Sequence, residues 1–69
     1  MSNPIRVTLN GESREVPAAT SITELILLLA VRGRYAVEVN GEIVPRSAHH
    51  EQRLCDGDRV EVVAAIGGG

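Results

Sequence analysis

The sequence predicts a single α+β domain in which one helix packs across one face of a mixed sheet. Three observations carry that prediction: apolar residues alternate with polar ones near both ends of the chain, two Asn-Gly dipeptides punctuate it, and one segment opens with a helix-capping signature. Length agrees with one domain. The 69 residues include one Cys, so no internal disulfide is available, and no Cys/His spacing matches a structural zinc site. A chain this short removes only about 60% of its unfolded surface on folding, which leaves little volume for an enclosed pocket of about 300 Å³ or more. Function is therefore expected at the surface or at an end.

The elements follow in chain order. Ile5-Arg6-Val7-Thr8-Leu9 alternates apolar with polar, the period of a strand with one buried face. Asn10-Gly11 supplies the positive φ that a tight hairpin needs, and Ser13 to Val16 reads as the return strand, closed by Pro17. Ser21-Ile22-Thr23-Glu24 has the form of a capping box, with the Ser21 hydroxyl accepting from the Glu24 N–H and the Glu24 carboxylate reaching back. A helix is expected from there, with Ile22, Leu25, Ile26 and Leu29 as its buried stripe and Gly33 ending it in a left-handed turn. Leu27, Leu28 and Val31 fall off that stripe. They are expected to form a helix edge covered by the following chain, the alternative being an apolar docking surface.

Tyr35 to Val39 reads as a third strand with Val37 and Val39 on one face, ended by Asn40-Gly41. Ile43-Val44 forms a short fourth strand that Pro45 stops, since it has no N–H for the ladder. Ser47 to Arg53 is polar and suits turns or one short helical turn. Asp56-Gly57-Asp58 is a sharp turn whose spacing does not match a calcium-binding loop. The last strand, Arg59 to Ile66, becomes continuously apolar from Val62 onward, as in a central strand. Pairing it in parallel with the first strand lets every other element lie around the two. Residues 1–66 are thus expected to form the domain and residues 67–69 a flexible tail.

Net charge is −2 and the seven basic residues are scattered, which argues against a sequence-independent nucleic-acid binder. Tyr35 is the single aromatic residue, so no stacking platform for single strands exists. No apolar run is long enough to span a bilayer, and Met1-Ser2-Asn3-Pro4 lacks the features of a secretory signal, so a cytoplasmic protein is expected. Every cation is Arg. A chain-forming protein tag, which needs acceptor lysines on itself, fits poorly with that.

Three consecutive glycines, Gly67, Gly68 and Gly69, bury no side chain and raise the entropy of whatever they follow. Without Cβ atoms such a backbone can thread a narrow channel and approach a nucleotide closely. At its tip the Gly69 α-carboxylate, with an ordinary pKa of about 3.3–3.7, is ionised at neutral pH and can attack the α-phosphate of ATP.

The residues around these glycines resemble a known family. Val62-Val63-Ala64-Ala65-Ile66 before the tail, Asp56-Gly57-Asp58-Arg59-Val60-Glu61, Val39-Asn40-Gly41 and Val44-Pro45-Arg46 together are similar to the ThiS family of sulfur carriers in thiamin biosynthesis, which have the ubiquitin-like β-grasp fold. The resemblance covers nearly the whole chain. Gly68-Gly69 match the family's diglycine, and Gly67 is an addition. The resemblance implies a protein co-substrate rather than an enzyme. An adenylating enzyme of the ubiquitin-activating type would use ATP and magnesium to convert the Gly69 carboxylate to an acyl-adenylate. Sulfur from a persulfide-bearing donor protein would displace the adenylate to give a thiocarboxylate, and thiazole synthase would accept the sulfur. Gly67 and Gly68 would thread into the partners' active sites, and the chain itself would bind no cofactor or metal. For the partner surface, Leu27, Leu28 and Arg46 are the candidates.

Other chemistry is weaker. Leu54 and Asp56 bring no cation to Cys55, which is expected to be a small packed or partly exposed thiol. His49-His50 has no third or fourth ligand at a suitable spacing and reads as a pair of solvated loop histidines. Glu12, Glu15 and Glu38 have no nucleophile to serve, so no general acid or base is assigned. Two alternatives remain open. One is a carrier in another sulfur-transfer pathway, such as the small subunit of molybdopterin synthase, whose members tend to be longer with prolines before the tail. The other is a ubiquitin-like interaction module with inert glycines.

Overall fold

The computed structural model describes residues 3–64. The elements run β1 (Ile5–Leu9), β2 (Glu12–Val16), α1 (Ile22–Leu29), β3 (Tyr35–Val39), β4 (Glu42–Ile43), a short 3₁₀ turn (Arg46–Ala48) and β5 (Arg59–Ala64). Among the described residues the strands form one mixed sheet ordered β2-β1-β5-β3-β4. β5 is central, parallel to β1 and antiparallel to β3, as the apolar character of its sequence requires. Ala65, Ile66 and the Gly67–Gly69 tail lie outside the described residues.

Alternation places the core. Val7, Leu9, Val16, Val37, Val39 and Val60 point from the sheet towards Ile22, Leu25 and Ile26 of α1, and Val44 and Leu54 close the layer from the connecting segments. Both hairpins turn on Asn-Gly with positive φ at each residue, 48° and 85° at Asn10-Gly11 and 53° and 87° at Asn40-Gly41. That pairing of angles matches the right-handed twist of the strands it joins. β2 begins one residue earlier than the alternation predicts. β4 is likewise shifted, to Glu42–Ile43, although the Val44 N–H still donates to the Val37 carbonyl at 2.9 Å.

The capping box forms as expected: the Glu24 N–H donates to Ser21 Oγ at 3.1 Å and the Ser21 N–H donates to Glu24 Oε1 at 2.8 Å. Two further N–H groups of the first turn find partners that local sequence does not supply. Ile22 donates to the Gln52 carbonyl and Thr23 to the His49 carbonyl, each at 3.1 Å. The polar segment after Pro45 is thus folded against the helix start, where it satisfies groups that a helix cannot satisfy internally.

The helix end differs from expectation. Gly33 has φ +77° but sits beyond the helix; Ala30, with φ 56°, makes the left-handed turn instead. The Ala30 N–H donates to the Leu27 carbonyl at 3.2 Å and the Val31 N–H to the Ile26 carbonyl at 3.4 Å. This is the two-bond Schellman arrangement, and its usual apolar contact is present because Val31 packs against the core. With Val31 half-buried there, the stop falls three residues before the glycine and places an alanine in a left-handed conformation. Leu27 and Leu28 are not covered: they are 74% and 63% exposed. The chain after the helix folds Val31 inward and leaves the pair in solvent.

Candidate functional site

The tail expected to carry the chemistry, Gly67, Gly68 and Gly69, lies outside the described residues, so the structure informs on its root. That root is held from both sides. On the β3 side the ladder continues to the last described residue, with Ala36 opposite Val63 and Tyr35 opposite Ala64. On the β1 side the described strand pairing ends at Leu9 opposite Val60. Beyond it, the Asn10 side chain takes the place of a strand: its Oδ1 accepts from the Val62 N–H at 2.8 Å and its Nδ2 donates to the Val62 carbonyl at 3.2 Å. Asn40 does the same where β5 begins, its Oδ1 accepting from the Arg59 N–H at 2.9 Å and its Nδ2 donating to Asp58 Oδ1 at 3.0 Å.

The Asp56-Gly57-Asp58 turn is a further anchor. Asp56 Oδ1 accepts from the Arg6 N–H and Asp58 Oδ2 from the Cys55 N–H, both at 2.8 Å. The acidic pair thus accepts from two backbone N–H groups and the Asn40 side chain, which explains the residue types without a ligand. Cys55 is exposed in this turn. Among the described residues no group of three or more His, Cys, Asp or Glu side chains is placed to hold a metal ion. None of their helices is long and apolar enough to cross a membrane.

Beside the root, Tyr35 has two ring contacts. The Arg46 guanidinium carbon lies 4.6 Å from the ring centroid, a cation–π contact, and the His49 ring stacks at 6.0 Å between centroids. His49 corrects the sequence expectation, because it is 4% exposed rather than solvated. The 3₁₀ turn drives its ring inward, where Nε2 lies 3.0 Å from the Val44 carbonyl and Nδ1 has no hydrogen-bond partner. His50 is exposed, as expected. No local pattern marks the Tyr35–Arg46–His49 stack; the signal was only that the sole aromatic residue opens a strand whose alternation turns it to the covered face.

Leu27 and Leu28 line a shallow open groove of about 480 Å³ with Pro17, Ala18, Ala19, Thr20, Glu24 and Arg53. Arg46 is not part of that groove, so the three residues singled out for partner contact fall into two separate features. Within the groove, the Ser21 backbone N–H holds the Glu24 carboxyl below its usual range, helped by the Ser21 hydroxyl and, to a lesser degree, by Arg53; slight desolvation opposes them. Arg53 lies 3.6 Å from Glu24 with both side chains more than half exposed, so the ion pair itself contributes little. On the opposite face of the sheet, alternation also leaves Ile43 71% and Val63 61% exposed.

Comparison with known proteins adds to this geometry. The model of the ThiS family matches residues 7–69, a span that includes all three terminal glycines. A thiazole synthase of Paramagnetospirillum magneticum is 42% identical over 66 residues, covering 94% of this chain and 20% of its own length. The chain thus spans a fifth of that relative. A sulfur carrier protein ThiS of Bacillus subtilis is 48% identical over 33 residues, 48% of this chain and 50% of that one. The crystal structure of a thiamine biosynthesis protein, ThiS from Geobacter metallireducens, superposes with a TM-score of 0.77 at 36% identity, covering 94% of this chain and all of the other.

Proposed function

The chain belongs to the ThiS family, and from that premise we infer that it is a sulfur carrier of thiamin biosynthesis, modified by partner enzymes rather than acting as one. The observation that carries this reading is the family match running to residue 69 on a β-grasp domain whose central strand is the last described element, ending at Ala64 five positions before Gly69. A central strand is the stiffest place from which to present a terminus, since ladders or side-chain bonds hold both of its edges. Glycines are the residues least able to obstruct a channel.

The chemistry on this reading takes place at one carboxylate. A Gly69 oxygen attacks the α-phosphorus of ATP in the adenylating partner, with magnesium bound there, and pyrophosphate leaves. The outer sulfur of a persulfide donor protein then attacks the acyl carbon and expels AMP, leaving an acyl disulfide; a second thiol attacks the donor sulfur, forms a disulfide with it and releases the thiocarboxylate on Gly69. Thiazole synthase takes up that sulfur. A thiazole synthase that carries a domain similar to this chain within one polypeptide supports the last partnership. An all-arginine cation set supports the carrier chemistry mildly, because the chain has no lysine amine to capture its own activated acyl group.

Intact-protein mass spectrometry tests the reading directly. After incubation with the organism's adenylating enzyme, ATP, magnesium and a persulfide donor, an oxygen-to-sulfur mass increase confined to the C-terminal peptide is expected. An unchanged mass with an enzyme shown to be active on another carrier refutes it. Restoration of growth by supplied thiazole in a deletion strain assigns the pathway; rescue by molybdopterin instead overturns that assignment.

A further inference from the structure

The root of the tail carries a charge pattern that neither the fold nor the terminal chemistry requires. Three of the seven arginines, Arg32, Arg34 and Arg46, lie in the two segments that flank the exit of β5 on its β3 side. Arg34 immediately precedes Tyr35, the residue paired with Ala64, Arg32 is two positions earlier, and Arg46 sits over the Tyr35 ring. Residues 30–37 and 44–50 contain no Asp or Glu, although the chain as a whole is anionic. At the other end of the sheet, where β5 begins, Asp56 and Asp58 gather instead. The ion pairs among the described residues are Arg6–Glu15 and Arg53–Glu24, so none of the three arginines is neutralised by one there. All three are exposed.

We propose that Arg32, Arg34 and Arg46 form a cationic shoulder that docks on carboxylates rimming the opening through which the adenylating partner admits the tail. This rests on the carrier reading and names the chemistry of its first partner surface. Reach decides between protein carboxylates and the phosphates of ATP as the anion that is met. Gly69 lies five positions beyond Ala64. Drawn out through a channel that stretch spans up to roughly 17 Å at about 3.3–3.6 Å per residue, beyond both an arginine side chain and a Debye length of about 8 Å at physiological salt. When the terminus reaches the nucleotide, the shoulder is still at the entrance.

Two further features fit a docking role. Screening makes the local patch, rather than the net charge of −2, what an approaching partner senses, so a one-sided shoulder steers the tail end towards an acidic opening. Arg46 is also held in place before contact by the Tyr35 ring, itself backed by the buried His49, so little side-chain entropy remains to be lost on binding. On the β1 side of the exit the hairpin tip brings Asn10 and Glu12 instead, which gives the encounter a handedness.

The test measures pyrophosphate release by the organism's adenylating enzyme, with ATP and magnesium, against the concentration of the carrier. The triple variant Arg32→Glu/Arg34→Glu/Arg46→Glu is expected to raise the half-saturating concentration by about tenfold or more, with the maximal rate retained. Added salt is expected to weaken the wild type and, by screening the new like-charge repulsion, to lower the half-saturating concentration of the triple variant. Arg32→Glu/Arg34→Glu leaves the Tyr35 stack intact and keeps the test valid if loss of Arg46 lowers the melting temperature. Arg14→Glu, on the edge strand β2, makes away from the shoulder the two-unit change in charge that each shoulder substitution makes, and is expected to behave as wild type. A double or triple variant that saturates like wild type, or an Arg14→Glu effect as large as theirs, overturns the shoulder. Wild-type chain that releases no pyrophosphate with an active enzyme overturns the carrier reading and the shoulder with it.

Discussion

Replacing Asn10 by Gly separates two roles that this residue combines. As the first residue of the β1–β2 turn it holds φ at 48°, a conformation glycine adopts more easily than asparagine. As a side chain it supplies Val62 with both an acceptor and a donor. If the turn were its whole purpose, Asn10→Gly would be neutral or slightly stabilising. The structure predicts otherwise. Each hydrogen bond contributes about 0.5–1 kcal/mol, the lower part of the usual range because both are solvent-exposed. The greater freedom of glycine in the unfolded chain offsets what is gained by relieving the positive φ. A net loss of about 1–2 kcal/mol remains. For a domain this small, 1 kcal/mol corresponds to roughly 8 °C in Tm, so thermal unfolding followed by circular dichroism should show a decrease of about 8–16 °C. Asn10→Asp keeps the acceptor for the Val62 N–H and loses the donor, so it should melt between the two. A glycine variant that melts at or above wild type refutes the assignment of Asn10 as a surrogate strand for the tail root.

Three other outcomes are expected. Ala30→Gly should stabilise the fold by about 0.5 kcal/mol or more, because relief of a left-handed alanine outweighs the added unfolded-state entropy; a drop in denaturant midpoint would contradict the Schellman reading of the helix end. Hydrogen bonds from Ser21 hold the Glu24 carboxyl below its ordinary value of 4.5, so its contribution to stability is complete above that pH and is lost as pH falls through the lower folded value. Glu24→Gln should flatten that part of the stability–pH curve, which urea titrations between neutral and acid pH would measure. Deleting Gly69, or changing Gly68→Val, should leave stability within about 0.5 kcal/mol while abolishing pyrophosphate release by the adenylating enzyme; full activity in either variant would show that the terminus is not the reactive group.

What the chain could disclose about itself was local. Alternation identified β1 and β3 residue for residue, because a strand with one wet face writes its period of two into the sequence. Asn10-Gly11, Asn40-Gly41 and the Ser21–Glu24 box were legible for a similar reason, since the conformation and its hydrogen bonds are complete within four residues. The core stripe Ile22, Leu25 and Ile26 followed from helical spacing alone. The candidate reactive site, Gly67 to Gly69, was proposed from sequence alone and lies outside the described residues.

Tertiary structure decided everything that depends on contacts distant in sequence. Gly33 had the right intrinsic preference to end the helix, but the Ala30 and Val31 N–H bonds close it at Ala30, with half-buried Val31 packed against the core. His49 looked like a loop residue until its turn was folded against the helix start, where its carbonyl takes the Thr23 N–H and its ring fills space beside Tyr35. The Asn10–Val62 bonds join residues 52 apart, and Arg32, Arg34 and Arg46 come from two segments that only the sheet order brings to the β3 side of β5. Backbone propensity and periodicity act over a few residues, so they specified the pieces and the terminus. Burial and pairing act across the whole chain, so they determined how the end of β5 is held and which segments flank it.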